Sequence, residues 1–153
     1  MSCLNWLMNF NYFLSDSFLV FLDQKLNVIF CIGETYKEKS KGKTFSILRK
    51  QIKSSLNKKF IKNKIILAYE PVWSIGTNKI PKKSELQNTI KFIKKDFRKI
   101  FKTNKSPKVL YGGSVNHQSI SLLSSISEID GFLIGSASQS AKKFIDIVKN
   151  YYK

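Results

Sequence analysis

Cysteine and histidine are scarce in this chain, and long apolar runs are absent. Two cysteines, Cys3 and Cys31, are too few for a disulfide framework, and neither has a CxxC or histidine partner. We therefore expect reduced thiols and no metal site. No run reaches the roughly 18 apolar residues of a membrane span, and the start lacks the pattern of a signal peptide. The expected location is the cytoplasm, with no membrane partner.

Acidic residues are also few, at 10 against 27 Lys and Arg, so the formal net charge is +17. Such a charge is typical of proteins that bind nucleic acid or an anionic surface. The lysines, however, concentrate in the helix-like stretches 37–43, 91–102 and 142–153, where solvated faces and helix ends also favour them. We expect a solvated basic surface that attracts phosphorylated metabolites, with nucleic-acid binding as the less favoured reading.

Short apolar runs alternate with longer stretches of helical periodicity from Asn27 onward. The predicted strands are Val28–Ile32, Ile65–Tyr69, Val109–Tyr111 and Gly131–Ile134. This alternation predicts an α/β fold with a parallel sheet, whose chemistry lies at the carboxyl ends of the strands. Residues 27–153 form the predicted domain, and residues 1–26 an apolar N-terminal segment with a helix entering the first strand.

Apolar residues recur at helical spacing between the predicted strands. Their positions predict one helix with an apolar face of Phe45, Leu48, Ile52 and Leu56, and a longer one that starts near Ser84 as its N-cap. A short helix is expected over Gln118–Ser125. The last helix is expected to bury the side chains of Ala141, Phe144, Ile145 and Val148.

Glu70 is the main catalytic candidate, because it stands at the end of the uncharged run Ile65–Tyr69. Pro71 favours an extended backbone at the preceding residue, which keeps Glu70 in strand geometry. A stiff segment follows and ends at Gly76, whose freedom of backbone conformation suits a hinge. We interpret it as a lid. It comprises Pro71, Val72, Trp73, Ser74, Ile75, Gly76 and Thr77.

Three other strand ends carry polar or glycine-rich loops. Glu34 follows Gly33 and either orients a neighbouring loop or is part of a simple turn. The turn 111–114 offers paired glycines and the Ser114 hydroxyl, and the turn 135–138 consists of small residues leading into the last helix. Two such turns after consecutive strands match the phosphate site of eightfold barrels. His117 is interpreted as a solvated residue at a helix start.

These loops together resemble the motifs of the triosephosphate isomerase family. The matching segments are Cys31–Glu34, Ala68–Thr77, Tyr111–Asn116 and Asp130–Ser138, in family order and at near-family spacing. The resemblance covers roughly residues 12–153. It implies a partial (β/α)8 barrel with about the last four βα units of a fold that takes about 250 residues.

The resemblance also implies an isomerase of glycolysis and gluconeogenesis without metal or organic cofactor. Glu70 would move a proton between the two carbons of dihydroxyacetone phosphate and glyceraldehyde 3-phosphate. The amides of Gly76, Gly135 and Ser136 and the group at Ser114 would hold the substrate phosphate. Trp73–Thr77 would close over the site.

Several family features have no counterpart in this sequence. The family's histidine belongs to a His-Ser-Glu-Arg segment whose place falls at or ahead of Met1, and the Asn and Lys of the family's first strand end are absent. Losing an electrophile that stabilises an enediolate costs orders of magnitude in rate. Ser136 and Asn78 replace family glycines, which we expect to tune the site without abolishing it.

A half barrel leaves two strand edges open, at Val28–Ile32 and Gly131–Ile134. The expected partners are a separately made N-terminal half or a second copy of the chain. The main functional hypothesis is therefore a truncated or split isomerase. The alternative is a non-catalytic remnant or a basic protein that binds nucleic acid through its lysines, for which salt-sensitive DNA binding would be the sign.

Overall fold

Four parallel strands form one sheet in the order in which they occur along the chain. The computed structural model describes residues 28–56 and 65–153. The strands are β1 (Val28–Ile32), β2 (Ile65–Tyr69), β3 (Lys108–Tyr111) and β4 (Gly131–Phe132). The first two agree with the predicted bounds, and the predicted α/β class is confirmed. Each strand pairs with the next through a helical crossover, as parallel pairing requires.

The strand register brings the predicted functional residues to one edge. Ile32 pairs with Tyr69, and Tyr69 with Tyr111, at the last position of each strand. Tyr111 in turn pairs with Phe132 at the end of β4. The loops that follow the four strands therefore all leave from the same side of the sheet.

Five α-helices and two short 3₁₀ helices accompany the strands within the described residues, and the last of each kind follows β4. The α-helices are α1 (Tyr36–Ser40), α2 (Thr44–Ser55), α3 (Lys83–Phe101), α4 (Ile120–Ser124) and α5 (Ala141–Tyr151). The 3₁₀ helices are Val72–Ser74 and Ser136–Gln139. Thr35 and Glu38 form a capping box at the start of α1, which fixes how the chain leaves β1.

The core lies between the sheet and the apolar faces of α2 and α3. Leu48, Ile52 and Leu56 are buried, as the periodicity predicts, whereas Phe45 is 44% exposed because it stacks on Phe92 of α3 at the rim of the core. The buried face of α3 consists of Leu86, Thr89, Ile90, Ile93, Asp96, Phe97 and Phe101. Asp96 is the one charged member. The guanidinium nitrogens Nε and Nη2 of Arg49 on α2 donate to the Asp96 carboxylate oxygens at 2.9–3.2 Å.

Several predicted bounds are wrong in detail. The helix α3 begins at Lys83, and its N-cap is Lys82 without a side-chain cap, because the Lys82 carbonyl accepts the first helical bond from Leu86. Ser84 is therefore not the N-cap. The strand β4 ends at Phe132 instead of Ile134, since β3 provides only two paired positions opposite it. The predicted helix 118–125 is confined to Ile120–Ser124 because the Asn116 side chain holds residues 118 and 119 in a turn.

The last helix differs most from its prediction. Ile147 is its buried side chain, whereas Phe144, Ile145 and Val148 are 39–50% exposed. Ala141 is exposed as well. The helix packs on α4 and on the second 3₁₀ helix through the Ile147 side, so the broad apolar face points away from the described sheet.

The predicted N-terminal segment, residues 1–26, lies outside the described residues. Among the helices of residues 28–56 and 65–153, none is long and apolar enough to cross a membrane.

Candidate active site

Glu70 lies directly after β2 and is 6% exposed. Its amide donates to the Ile32 carbonyl at 2.8 Å, which continues the ladder between β1 and β2 by one residue. On the other side, the Gly112 amide donates to the Tyr69 carbonyl at 2.9 Å. The carboxylate is thus held at the carboxyl edge of the sheet, as the position before Pro71 predicts.

Two glycines on the neighbouring strand ends make room for Glu70. A Cβ atom at Gly33 would overlap the carbonyl oxygen of Glu70. A Cβ atom at Gly112 would lie 2.6 Å from Glu70 Cγ and 2.7 Å from its Oε1. No real side chain tolerates such contacts, so both positions need glycine for space.

Burial sets the basicity of this carboxylate. Desolvation raises the pKa of Glu70 above its ordinary value, and a hydrogen bond with the Cys31 side chain opposes the shift in part. In the part of the chain that the structure describes, no group donates to the buried Oε2 atom. A carboxylate with an unpaired buried oxygen is a stronger proton acceptor than a solvated one, which suits a general base.

Gln51 of α2 fixes the loop beside Glu70. Its side-chain oxygen accepts from the Gly33 amide at 3.0 Å, and its side-chain nitrogen donates to the Gly33 carbonyl at 2.9 Å. Both backbone groups of Gly33 are therefore satisfied by one amide side chain. The glycine that lies against the Glu70 backbone is held in place from the helix layer.

Glu34 is completely buried and orients the lid. Its carboxylate accepts from the Trp73 indole at 3.0 Å and from the Tyr69 hydroxyl at 3.2 Å. Its backbone carbonyl also accepts from the Val72 amide at 3.0 Å. Burial raises the pKa of Glu34, and the indole and phenol hydrogen bonds oppose that shift. Of the two readings of Glu34, loop orientation is the one this geometry supports.

Lys39 lies over the ring of the same indole. Its ammonium lies 4.6 Å from the centre of the Trp73 ring and forms an ion pair with Glu85 of α3. Burial lowers the pKa of Lys39, and the charge of Glu34 opposes this shift. The lid tryptophan is thus held between a buried anion and a partly buried cation.

The predicted lid consists of a rigid start and an exposed tip. Val72–Ser74 form a 3₁₀ turn, and the tip residues Gly76, Thr77 and Asn78 are exposed. Gly76 has φ of +68° and Asn78 has φ of +59°, both in the left-handed region. The Asn116 side chain donates to Asn78 Oδ1 at 3.3 Å, so the tip contacts the loop after β3.

Ser74 and Ser114 join the lid to the glycine turn after β3. The Ser114 amide donates to Ser74 Oγ at 3.2 Å, and the Ser114 hydroxyl donates to the Ser74 carbonyl. The structure therefore brings Glu70, Ser74, Gly112 and Ser114 into one buried cluster. Whether Ser114 holds a phosphate stays a prediction.

The fourth predicted turn is one strand further along the same edge. Gly135 and Ser136 are exposed, and Ser136 opens the 3₁₀ helix that ends at Gln139. The turn leads into the last helix, as predicted, but through this 3₁₀ helix, because α5 begins only at Ala141 with Ser140 as its N-cap. Both residues follow β4 at the edge of the sheet that carries the other loops.

Sequence reasoning missed Gln51 and Lys39, and it assigned Ser74 only to the lid. A signal for Gln51 was its place three residues after Leu48, on the apolar side of an amphipathic helix. The Thr-x-x-Glu pattern of residues 35–38 predicts a capped helix start and so places Lys39 beside it. The contacts of Ser74 depend on the fold and have no local signal. His117, as predicted, is exposed.

Comparison with known proteins agrees with this geometry. Residues 7–151 match the family profile of triosephosphate isomerase. The triosephosphate isomerase of Leptospira interrogans serovar Lai is 38% identical over 144 residues, which are 90% of this chain and 57% of that protein. The enzyme of Coprinopsis cinerea is 42% identical over 135 residues, or 83% of this chain and 52% of that protein.

A third relative, from Dictyoglomus turgidum, is 41% identical over 132 residues, covering 84% of this chain and 53% of that triosephosphate isomerase. The chain thus spans about half the length of the curated relatives it matches. With four parallel βα units in sequential order, it has the architecture of part of a (β/α)8 barrel. This chain belongs to the triosephosphate isomerase family.

Proposed function

We propose that this chain carries the base, the lid and the phosphate cradle of a triose-phosphate isomerase. Glu70 removes a proton from one carbon of dihydroxyacetone phosphate and returns it to the neighbouring carbon, which gives glyceraldehyde 3-phosphate. The observation that carries this proposal is the burial of Glu70 between Gly33 and Gly112, with one oxygen unpaired. The cytoplasm is the proposed place of the reaction, which belongs to glycolysis and gluconeogenesis.

The lid supports this chemistry because its start is fixed and its tip is exposed. Closure of the tip over Glu70 excludes water, which strengthens the base and protects the enediolate. Trp73 is anchored on Glu34 and Lys39, so movement falls to residues 75–79. Ser114 through its amide, and Gly76, Gly135 and Ser136 through theirs, are the proposed phosphate donors.

The single histidine of the sequence, His117, is exposed, and we do not assign to it the role of the electrophile that polarises the substrate carbonyl. A glutamate base working with a neutral histidine is the established pattern of this enzyme. The site of this chain is therefore one half of the catalytic machinery. We assign the other half to the βα units that complete the barrel.

Two surfaces favour such a partner. Within residues 28–56 and 65–153, the outer edge of β4 pairs with no strand. In addition, Phe144 and Ile145 of α5 are 40% and 50% exposed. We propose that a polypeptide with the N-terminal βα units, or a second copy of this chain, covers these surfaces.

Proton transfer measured in heavy water tests the function most sensitively. The chain is incubated in D₂O with glyceraldehyde 3-phosphate, alone and with an N-terminal half that carries the His-Ser-Glu-Arg segment. NMR then follows deuterium at the carbon next to the carbonyl. We expect exchange with both halves present, and its loss in Glu70→Gln. No exchange under either condition, or equal exchange in Glu70→Gln, contradicts the proposal.

A further inference from the structure

Ser74 Oγ has all of its hydrogen-bonding capacity in use. It donates to the Lys79 carbonyl at 2.5 Å and lies 3.0 Å from the Tyr111 hydroxyl, and the Ser114 amide donates to it at 3.2 Å. A hydroxyl has one proton and two lone pairs. Because the Ser74 hydroxyl donates its proton to the Lys79 carbonyl, Ser74 Oγ accepts hydrogen bonds from the Tyr111 hydroxyl and from the Ser114 amide. The group is 0% exposed, so water does not compete for these bonds.

The amide and the hydroxyl of Ser114 also both donate hydrogen bonds within the protein. Its amide is bonded to Ser74 Oγ, its hydroxyl donates to the Ser74 carbonyl, and the residue is 7% exposed. The amide that the proposed function assigns to the substrate phosphate therefore already has an acceptor within the protein. That acceptor belongs to the lid, two residues before the tip glycine Gly76.

We propose that Ser74 Oγ competes with the substrate phosphate for the Ser114 amide and thereby sets the affinity for phosphorylated ligands. The inference rests on the proposed function. One amide proton makes one good hydrogen bond, so a phosphoryl oxygen must replace Ser74 Oγ as its acceptor. Bonds to a charged oxygen are roughly twice as strong as neutral ones, so the phosphate prevails but at reduced net affinity.

The exchange also links phosphate binding to lid position. When Ser114 turns to the phosphate, Ser74 keeps its bonds to Lys79 and Tyr111, which belong to the far end of the lid and to β3. Of the bonds between the lid start and the turn 111–114, the exchange breaks only the one from the Ser114 amide, and the bonds of Ser74 with Tyr111 and with the Ser114 hydroxyl remain. Ser74 is thus a positioning residue that acts on the ligand through Ser114.

The first experiment needs no variant. The backbone amides of the full chain are followed by NMR while inorganic phosphate, and in a second series glycerol 3-phosphate, is added against chloride at constant ionic strength. We expect the resonance of the Ser114 amide to move together with those of Gly76 and Gly135. If only Gly76 and Gly135 respond, the competition is disproved and the proposed phosphate cradle stands. If none responds, both fail.

The second experiment compares dissociation constants for glycerol 3-phosphate. Ser74→Ala removes the competing acceptor, and we expect binding about two- to tenfold tighter, the worth of one neutral hydrogen bond. Ser74→Cys retains only a weak acceptor of similar size and should fall between Ala and wild type. Weaker or unchanged binding in Ser74→Ala would mean that the hydroxyl merely supports the lid, which overturns the inference.

Two controls separate competition from general loosening. Tyr111→Phe removes another hydroxyl of the same cluster but leaves the Ser74–Ser114 bond intact, so the affinity should not increase. Ser46→Ala removes an exposed hydroxyl that bonds only its own helix start. Hydrogen exchange of the Ser114 amide should accelerate in Ser74→Ala and stay slow in both controls. Tighter binding in all three variants contradicts the proposal.

Discussion

The indole nitrogen of Trp73 donates to Glu34 Oε1 at 3.0 Å, and this bond joins the start of the lid to the end of a different strand. Glu34 follows β1, whereas Trp73 follows β2. The Tyr69 hydroxyl bonds the same carboxylate, so three residues from two strand ends share one buried charge. For the proposed lid, we therefore expect movement at the tip and not at Trp73.

Replacing Glu34 by alanine should release the lid start. The indole and the Tyr69 hydroxyl lose their acceptor, and buried unpaired donors cost about 1–3 kcal/mol in the free energy of unfolding. The emission of Trp73, measured in a Trp6→Phe background, should shift to the red as the indole meets water. Glu34→Gln is the matched control, since its side-chain oxygen still accepts from the indole. Unchanged emission in Glu34→Ala contradicts the anchor.

Glu70→Gln should stabilise the chain at neutral pH while removing turnover. Burial raises the native pKa of Glu70, so between its ordinary pKa of 4.5 and the native value the folded chain binds more protons than the unfolded chain. Stability therefore falls as the pH rises through this window. Glutamine does not titrate, and its gain of about 1–3 kcal/mol should appear above the window and vanish below pH 4.5.

Urea unfolding of both proteins at a pH below 4.5 and at neutral pH measures this difference. Glu34 has a raised pKa too and titrates in both proteins, so only the difference between the two curves reports on Glu70. A constant difference across the pH range would show that the carboxylate is not destabilised by its site.

A methyl group at Gly112 should displace the Glu70 carboxylate. The added Cβ would lie 2.6 Å from Glu70 Cγ, and overpacking of this kind costs about 1–3 kcal/mol. Activity of the completed barrel should fall far more than stability. Gly131→Ala is the control, because its Cβ meets only the end of the Leu110 side chain, at 3.0 Å. Equal losses in the two variants would argue against a special role for the space beside Glu70.

Ile145→Gln should weaken association through the apolar face of α5. This side chain is 50% exposed, and burying it in an interface favours binding by about 25 cal/mol per Å². Sedimentation velocity over a range of concentrations should show a smaller share of complexes than in wild type. Lys142→Gln places the same side chain elsewhere on the helix and should leave association unchanged. Identical behaviour of the two variants would exclude this face.

The sequence predicts most where local signals and tertiary structure agree. The runs 28–32 and 65–69 are continuous, apolar and bounded by polar segments, so their strand bounds are confirmed. Glu70 is predictable for the same reason, because a charge directly after a buried run falls at the sheet edge. The prediction of α5 fails, since its periodicity shows that Phe144 and Ile145 share a face but not what covers that face.

Contacts between distant segments account for what the sequence does not reveal. Ser74 meets Ser114 across 40 positions, and Trp73 meets Glu34 across 39. Neither pair has a periodic or capping pattern, so only the register of the parallel strands brings them together. The prediction of Ser84 as N-cap is wrong by two residues. The run Lys82-Lys83-Ser84 carries no local signal that distinguishes the first helical residue.

Gln51 makes the stability of the sheet edge that carries Glu70 depend on the stability of α2. The amide and the carbonyl of Gly33 both bond to the Gln51 side chain. Each local unfolding of α2 therefore breaks the bonds that hold the loop against the Glu70 backbone. We expect the Glu70 carboxylate to keep its position only while α2 is folded, and the rate of deuterium exchange at the Gly33 amide measures how often α2 opens. The lifetime of the site geometry therefore depends on a helix of the outer layer.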